Sequence, residues 1–497
     1  MINRDTGEGG AAFDDEGSPY FERYRSIIND WEAFQESIAA PLPCAGWVNP
    51  ALAEQEEVFA RLREDGFEVE ELPWIPGAFR LPGLKSEARV GRRFEFLSGQ
   101  VHLQEEVSML PVLALDPRPG ERVLDLCAAP GGKSAQIAVR LGARGTLVCN
   151  DVEANRIRAL RANQERLALA NLSISLSPGG RLFSGQEGIF DKVLVDVPCT
   201  CEGTARKSGG LHFRGPTDSY REALVGVQKN LLLRALTLCR PGGRVVYSTC
   251  TFAPEENELV LQRALDRFGW ERVEVERVDL GAFKRAQGLD HWAGLDLPPA
   301  LRAAVRVYPH LNNSGGFFLA SIRRRGDAEA ANALPFSGGA LDCEEEQLLR
   351  SRLRGAFGLS EQALDAFRLY QSSRRAVSAI NRGHLVFGGE QEIFGFPLVQ
   401  SKGRFPRLSA AGAKLLGHHA ELQVRLPNRE AADLFFQRVP QPVKDPGWRG
   451  QAIVTFEGAP LALGIVTERA GELVLESHFP KSRMLSLQSS AFERGAT

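Results

Sequence analysis

The stretch Arg122-Val-Leu-Asp-Leu-Cys-Ala-Ala-Pro-Gly-Gly-Lys-Ser134 decides the fold. Its apolar run, Arg122 to Cys127, has the length and bounds of a buried strand. It passes without a spacer into Cys127, Ala128, Ala129, Pro130, Gly131, Gly132 and Lys133, after which a helical pattern begins. Small residues at a strand-to-helix turn let a ligand approach the backbone, and in an open α/β sheet that edge is the ligand crevice. The turn has neither the Gly-x-Gly-x-x-Gly of dinucleotide sites nor the Gly-x-x-x-x-Gly-Lys of phosphate loops. Outward from it, strand candidates at Thr146 to Asn150, Lys192 to Val197 and Arg244 to Ser248 alternate with helical stretches, predicting a parallel sheet covered by helices. Leu224, Val227, Leu231, Ala235 and Leu238 mark one buried helix face, which Arg240-Pro-Gly-Gly243 stops. The next helix is expected to begin near Pro254 and bury Leu261, Ala264, Leu265 and Phe268.

Asp151 follows the second strand, 20 residues after Gly131, where an acid can accept hydrogen bonds from ribose hydroxyls. Position alone leaves open a second role, capping the helix through Ile157 and Leu160. An acid beside a loop poor in phosphate-binding features suggests a nucleoside ligand such as S-adenosylmethionine. The third strand ends in Asp196-Val-Pro-Cys199-Thr-Cys201-Glu-Gly203 and the fourth in Tyr247-Ser-Thr-Cys250-Thr251. Both tips face one crevice, so two thiols and a carboxylate converge there. A thiolate adds to carbon 6 of a pyrimidine and makes carbon 5 nucleophilic enough to accept a methyl group; loss of the carbon 5 proton then expels the thiol. Cys250 is expected just before a helix start, which would lower its pKa, with Glu255 and Glu256 opposing. The alternative for any strand cysteine is a small buried apolar residue, and Cys127, Cys149 and Cys239 are assigned to it.

At these residues the chain resembles the RNA cytosine-carbon-5 methyltransferases of the Nop/Sun family. The matching stretches are Val123 to Lys133, Phe190 to Cys199, Glu202-Gly-Thr204, Tyr247 to Thr251, Pro254-Glu-Glu-Asn257, Arg306 to His310 and Gly316-Phe-Phe318. The resemblance implies a Rossmann-like fold that uses S-adenosylmethionine, with Cys250 as the nucleophile and Cys199 assisting the general-base step that releases the product. It also implies that the 127–133 loop and Asp151 hold the cofactor, with Arg156 a further candidate. Asp196 would grip the cytosine edge or the cofactor's amino group, with Lys133 beside it. Cys250 points to RNA, because the DNA enzymes use the cysteine after the proline as nucleophile. The chain departs from the family where an acid usually contacts adenine, which here reads Ser177-Pro-Gly-Gly180, and at Cys201, where a smaller residue is usual.

The 497 residues suggest about three domains, and 43% apolar with 25% charged residues fits folded soluble units. A net charge of -2 excludes a global positive field, so any polyanion must be held by local patches. Eight scattered cysteines without paired Cys-x-x-Cys units predict neither a disulfide framework nor a metal site. With no signal segment or apolar membrane run, the expectation is a cytoplasmic protein with no membrane partner.

Residues 1–18 are expected to be a disordered acidic tail, 19–97 an N-terminal accessory RNA-binding region, and 98–325 the Rossmann-like α/β methyltransferase domain. The span 326–394 is expected to be a linker with a helical stretch from Cys343 to about Ala379, and 395–497 a β-rich domain. That tail resembles the PUA-like extension of bacterial members that modify 16S ribosomal RNA. Arg89, Arg92 and Arg93, with Lys402, Arg404 and Arg407 around Phe405, are candidate phosphate contacts. The expected substrate is therefore ribosomal RNA, with the small ribosomal subunit a candidate partner. Transfer RNA is the rival substrate, and a catalytically decayed ribosome-assembly factor is the rival function. A nicotinamide-dependent enzyme ranks last because the glycine fingerprint is missing.

Overall fold

A computed structural model describes residues 19–481 except 85–87, 208–209, 211–212, 329–333, 336–338, 340, 388–390 and 402–405; the acidic tail lies outside the described residues. The glycine turn sits in the middle of a ten-stranded sheet. In chain order its main elements are β1 (Arg122–Asp125), α1 (Gly132–Leu141), β2 (Thr146–Asp151), α2 (Ala154–Arg166), β3 (Leu172–Leu176), β4 (Phe190–Asp196), α3 (Asp218–Leu238), β5 (Cys239–Thr249), α4 (Glu258–Phe268), β6 (Val305–Val307) and β7 (Phe317–Arg324). They lie side by side as β3-β2-β1-β4-β5-β7-β6. Strands β1 to β5 run parallel, and β7 is antiparallel to both neighbours. Val123, Leu124, Val193, Leu194, Val245 and Val246 are fully buried, as parallel strands covered on both faces require. The strand order reverses between β1 and β4, which opens the crevice at the carboxyl ends of these strands.

The four predicted strands are present, with shifted bounds. Strand β3 is an addition whose five residues at the edge of the parallel set give a short signal. Strand β5 starts at Cys239 because the Pro-Gly-Gly run continues as extended chain. Helix α4 begins at Glu258, not near Pro254, since residues 254–257 form a turn with Asn257 N–H bonded to Pro254 carbonyl at 3.2 Å. Phe268 is only partly buried. Val227 is 48% exposed: Val225, Gln228 and Leu232 face inward on α3, which turns Val227 to solvent.

Before the main sheet, a four-stranded antiparallel sheet joins Glu70–Glu71, Ala78–Leu81, Cys44–Val48 and Val101–Leu103, the last of these lying beyond residue 97. After it, the predicted helix to Ala379 ends at Phe357. Phe367–Gln371 and Val377–Asn381 are strands in a sheet with Phe396–Ser401 and Arg407–Leu408, joined across a Ser-Ser-Arg-Arg turn that helical periodicity had spanned. A five-stranded sheet follows over Gln423–Ser477, making the tail β-rich as expected.

The tail is not tethered loosely. Strand β8 (Ile393–Phe394) pairs antiparallel with β3 and so joins the main sheet. Buried Lys414 donates to the carbonyls of Leu97 and Arg166 at 2.9 and 3.0 Å, and Arg429 bonds Glu95 at 2.9 Å. Among the described residues, no helix is long and apolar enough to cross a membrane.

Candidate active site

The turn after β1 is held from β2. Ala128 N–H donates to Asn150 carbonyl at 2.7 Å, and Ala129 N–H donates to the Asp151 carboxylate at 3.2 Å. Gly131 adopts φ +102, a conformation that favours glycine, and a Cβ there would lie 3.2 Å from the Leu160 backbone. Its carbonyl accepts from Ala135 N–H, starting α1. Asp151 also accepts from Glu153 N–H at 3.0 Å, so it ties the strand end to the turn, while Glu153 occupies the cap position of α2. Arg156 approaches the Asp151 carboxylate to 3.4 Å and donates to Ala129 carbonyl.

Several observations fit a nucleoside cofactor. Val152 and Leu176, at the ends of adjoining strands, are 62% and 39% exposed and offer apolar edges for a base. Each Asp151 oxygen accepts one backbone N–H, which leaves acceptor capacity for ribose hydroxyls. Asp125 Oδ1 and Asn150 Oδ1, at the ends of β1 and β2, are buried acceptors without partners among the described residues.

Lys133, in the first turn of α1, reaches Asp196 Oδ2 at 2.7 Å, and Ser248 donates to Asp196 Oδ1 at 2.6 Å. The carboxylate at the tip of β4 is thus oriented from both sides. Beyond it, Cys199 Sγ lies 3.4 Å from Cys250 Sγ. The structure therefore brings together Cys199, Cys250, Asp196 and Lys133, next to the turn that carries Cys127 to Gly132.

The residues that fix the sulfur spacing are ones the sequence reading missed. Thr200 and Thr251, each the residue after a cysteine, join hydroxyl to hydroxyl at 2.8 Å. Buried Glu256 accepts from the Thr200 hydroxyl at 2.6 Å, from Thr200 N–H at 3.0 Å and from Gln228 at 2.9 Å. Glu202 accepts from Tyr24 at 2.8 Å, from Phe252 N–H at 3.1 Å and from Tyr20 at 2.5 Å, anchoring the next turn to the N-terminal segment. Gly203 crosses Gly316 so closely that a Cβ on Gly203 would sit 2.1 Å from Gly316 carbonyl oxygen. That crossing explains both glycine motifs. The one available signal was composition, polar residues directly after each cysteine.

Cys250 is not at a helix start, because α4 begins eight residues later, so the expected dipole effect is absent. A hydrogen bond from Cys199 pulls the Cys250 thiol down, but the bond with Cys201, burial and nearby charges outweigh it and push it up. Cys199 is pushed up by its hydrogen bonds to Cys201 and Cys250 and by burial. Cys201 is pulled down, because those same two thiols donate to it and Arg156 lies nearby. The Cys201 thiol also donates to the Cys199 carbonyl at 3.3 Å, which fixes it beside the other two. Cys149 and Cys239 are buried, as assigned; Cys127 is only partly so.

The basic clusters are less uniform than the sequence suggested. Arg93 is tied to Asp65 at 3.7 Å and lies over Phe67, whereas Arg92 is exposed. Arg407 is exposed and bonds His478. Lys402, Arg404 and the Arg89 side chain lie outside the described residues.

Residues 112–323 match the family described as 16S rRNA methyltransferase RsmB/F. The ribosomal RNA small subunit methyltransferase F of Klebsiella pneumoniae is 29% identical over 483 residues, 92% of this chain and 94% of that protein. That of Aeromonas hydrophila is aligned over 90% of its length, whereas those of several other bacteria, Vibrio atlanticus among them, are aligned over 60 to 66% of theirs. The tRNA (cytosine(49)-C(5))-methyltransferase of Pyrococcus abyssi is 33% identical over 306 residues, 61% of this chain and 94% of that one. The solved structure of a methyltransferase homolog from Pyrococcus horikoshii is 34% identical, with a TM-score of 0.52, covering 59% of this chain and 90% of that one.

Proposed function

The chain belongs to the Nop/Sun family of RNA cytosine-C5 methyltransferases, and from that premise we propose that it methylates carbon 5 of a cytosine in 16S ribosomal RNA. The observation that carries the chemistry is the 3.4 Å approach of Cys199 and Cys250 beside the Lys133–Asp196 pair. The ribosomal substrate is supported by two relatives named for ribosomal RNA that align over 92% and 87% of the chain, whereas the one named for transfer RNA matches 61%.

The target cytosine leaves its stack to reach a pocket at the strand ends. Cys250 Sγ releases its proton to solvent and adds as the thiolate to carbon 6, while Asp196, held by Ser248 and Lys133, grips the polar edge of the ring. S-adenosylmethionine, when bound, supplies the electrophilic methyl group. The 127–133 turn, Asp151 and Arg156 would hold it, and the exposed Val152 and Leu176 would flank its base. Cys199 then directs removal of the carbon 5 proton, the carbon 5–carbon 6 double bond reforms, and Cys250 leaves as a thiolate. The PUA-like tail with Arg407, and the accessory unit with Arg92, supply RNA-facing surfaces. The small ribosomal subunit is the partner and the cytoplasm the site of action, where free thiols such as these stay reduced.

Purified protein with S-adenosylmethionine and either synthetic 16S or transfer RNA, followed by bisulfite mapping, tests this reading. One or more 16S cytosines modified by wild type and none by Cys250→Ala is the expected outcome. Modification of transfer RNA alone overturns the substrate, and methylation by Cys250→Ala overturns the nucleophile.

A further inference from the structure

We propose that Cys199, Cys201 and Cys250 together form a binding site for a thiophilic divalent cation, zinc(II), whose occupation shuts the active site. Their sulfur atoms all lie within 4.8 Å of one another, and among the described residues no other trio of His, Cys, Asp or Glu donors is so close. A zinc ion with sulfur ligands at about 2.3 Å in a tetrahedron needs sulfurs about 3.8 Å apart. The 3.4 Å contact between Cys199 and Cys250 opens slightly to reach that spacing, and the wider separations close.

The trio also has a way in. Cys199 is buried, Cys250 partly buried and Cys201 exposed, so the donors run from the floor of the crevice to its mouth. The fourth corner is left to water. Methyl transfer uses two thiols and gives the third no task, yet Cys201 stands at φ +57, in the left-handed region where a non-glycine residue is uncommon. The Thr200–Thr251 contact holds two of the donors ready, which lowers the cost of assembling the site. On binding, each thiol that becomes a ligand releases its proton to solvent, a zinc–sulfur bond replaces a zinc–water bond, and no redox partner is required. With both Cys250 and Cys199 coordinated, neither the nucleophile nor the thiol that assists proton removal is available. Inhibition, unlike binding, rests on the methyl-transfer reading above.

The test uses the full chain kept reduced with a phosphine. Cobalt(II) is titrated first, and its thiolate charge-transfer absorption followed; zinc(II) then displaces it, and methyl transfer is measured against zinc concentration with and without EDTA. The site predicts saturation at one cobalt per chain, zinc inhibition reversed by EDTA, and roughly 100-fold weaker binding in Cys201→Ser, the share of one ligand in such a site. The zinc sensitivity of that variant, taken relative to its own zinc-free rate, should weaken in parallel. Absence of a thiolate–cobalt band in wild type, or equal zinc affinity in Cys201→Ser, overturns the site. A stoichiometric band in protein that transfers no methyl to any RNA supports the site while sinking the enzymatic reading, so the two failures are distinct.

Discussion

Replacing Thr200 by Val tests whether the hydroxyl clasp sets the cysteine geometry. The side chain keeps its branched shape and loses two bonds, to Glu256 at 2.6 Å and to Thr251 at 2.8 Å. A hydrogen bond to a carboxylate contributes about 1.5–3 kcal/mol and a neutral one about 1 kcal/mol, so the clasp loses about 3 kcal/mol. Thr200 N–H and Gln228 still hold Glu256, at 3.0 and 2.9 Å, so the loop stays folded. If half of the loss appears as misplacement of the sulfurs in the transition state, kcat falls roughly tenfold, at about 1.4 kcal/mol per decade. Single-turnover methyl transfer at saturating RNA and cofactor reads this directly, alongside Thr200→Ser, which keeps the hydroxyl and should recover most of the rate. Wild-type kcat in Thr200→Val, or a Ser variant as slow as the Val variant, would refute the reasoning.

Cys199→Ala should slow release by about 10²–10⁴-fold, the usual worth of a general base, and leave protein covalently attached to RNA on a denaturing gel; normal turnover without an adduct removes Cys199 from that role. Burial pushes the Asp125 carboxyl up to about 7 from the usual 3.8, against the pull of the Ser134 hydroxyl. Between those values the folded chain binds more protons than the unfolded one, so this group makes stability fall as pH rises through the window. Asp125→Asn should flatten that slope in urea titrations from pH 4 to 8 (about the span set by the two pKa values), and an unchanged slope would exclude Asp125 as its source. Gly203→Ala places a Cβ 2.1 Å from Gly316 carbonyl oxygen, so it should lower the melting temperature and the transfer rate together. A wild-type melting curve would mean that the two glycine turns do not cross so closely.

The parallel core was legible because Val123-Leu-Asp-Leu and Val193-Leu-Val-Asp are compact apolar runs that only a doubly covered strand buries. Cys199 and Cys250 were legible as partners because both strand tips must face one crevice. What fixes their distance was not, since Thr200 and Thr251 carry no pattern of their own and Glu256 was read only as a charge opposing a helix dipole, not as the acceptor that holds Thr200. The supposed helix dipole at Cys250 failed because Pro254 starts a turn, not the helix. Ile393–Phe394 is too short to announce itself as a strand and becomes one by lying against the free edge of β3.

That two-residue strand makes the catalytic unit and its tail continuous through backbone hydrogen bonds, with Glu392 N–H on Ile174 carbonyl at 3.0 Å and Gly395 N–H on Leu172 carbonyl at 2.9 Å. On the proposed function, RNA gripped by the tail would be held at a set offset from Cys250, as by the fixed jaw of a caliper. Selectivity then becomes a matter of reach as well as of base identity. Trimming the chain ahead of β8 would do more than discard a handle: it would bare an unprotected sheet margin inviting self-association, and leave the remaining jaw nothing to measure from.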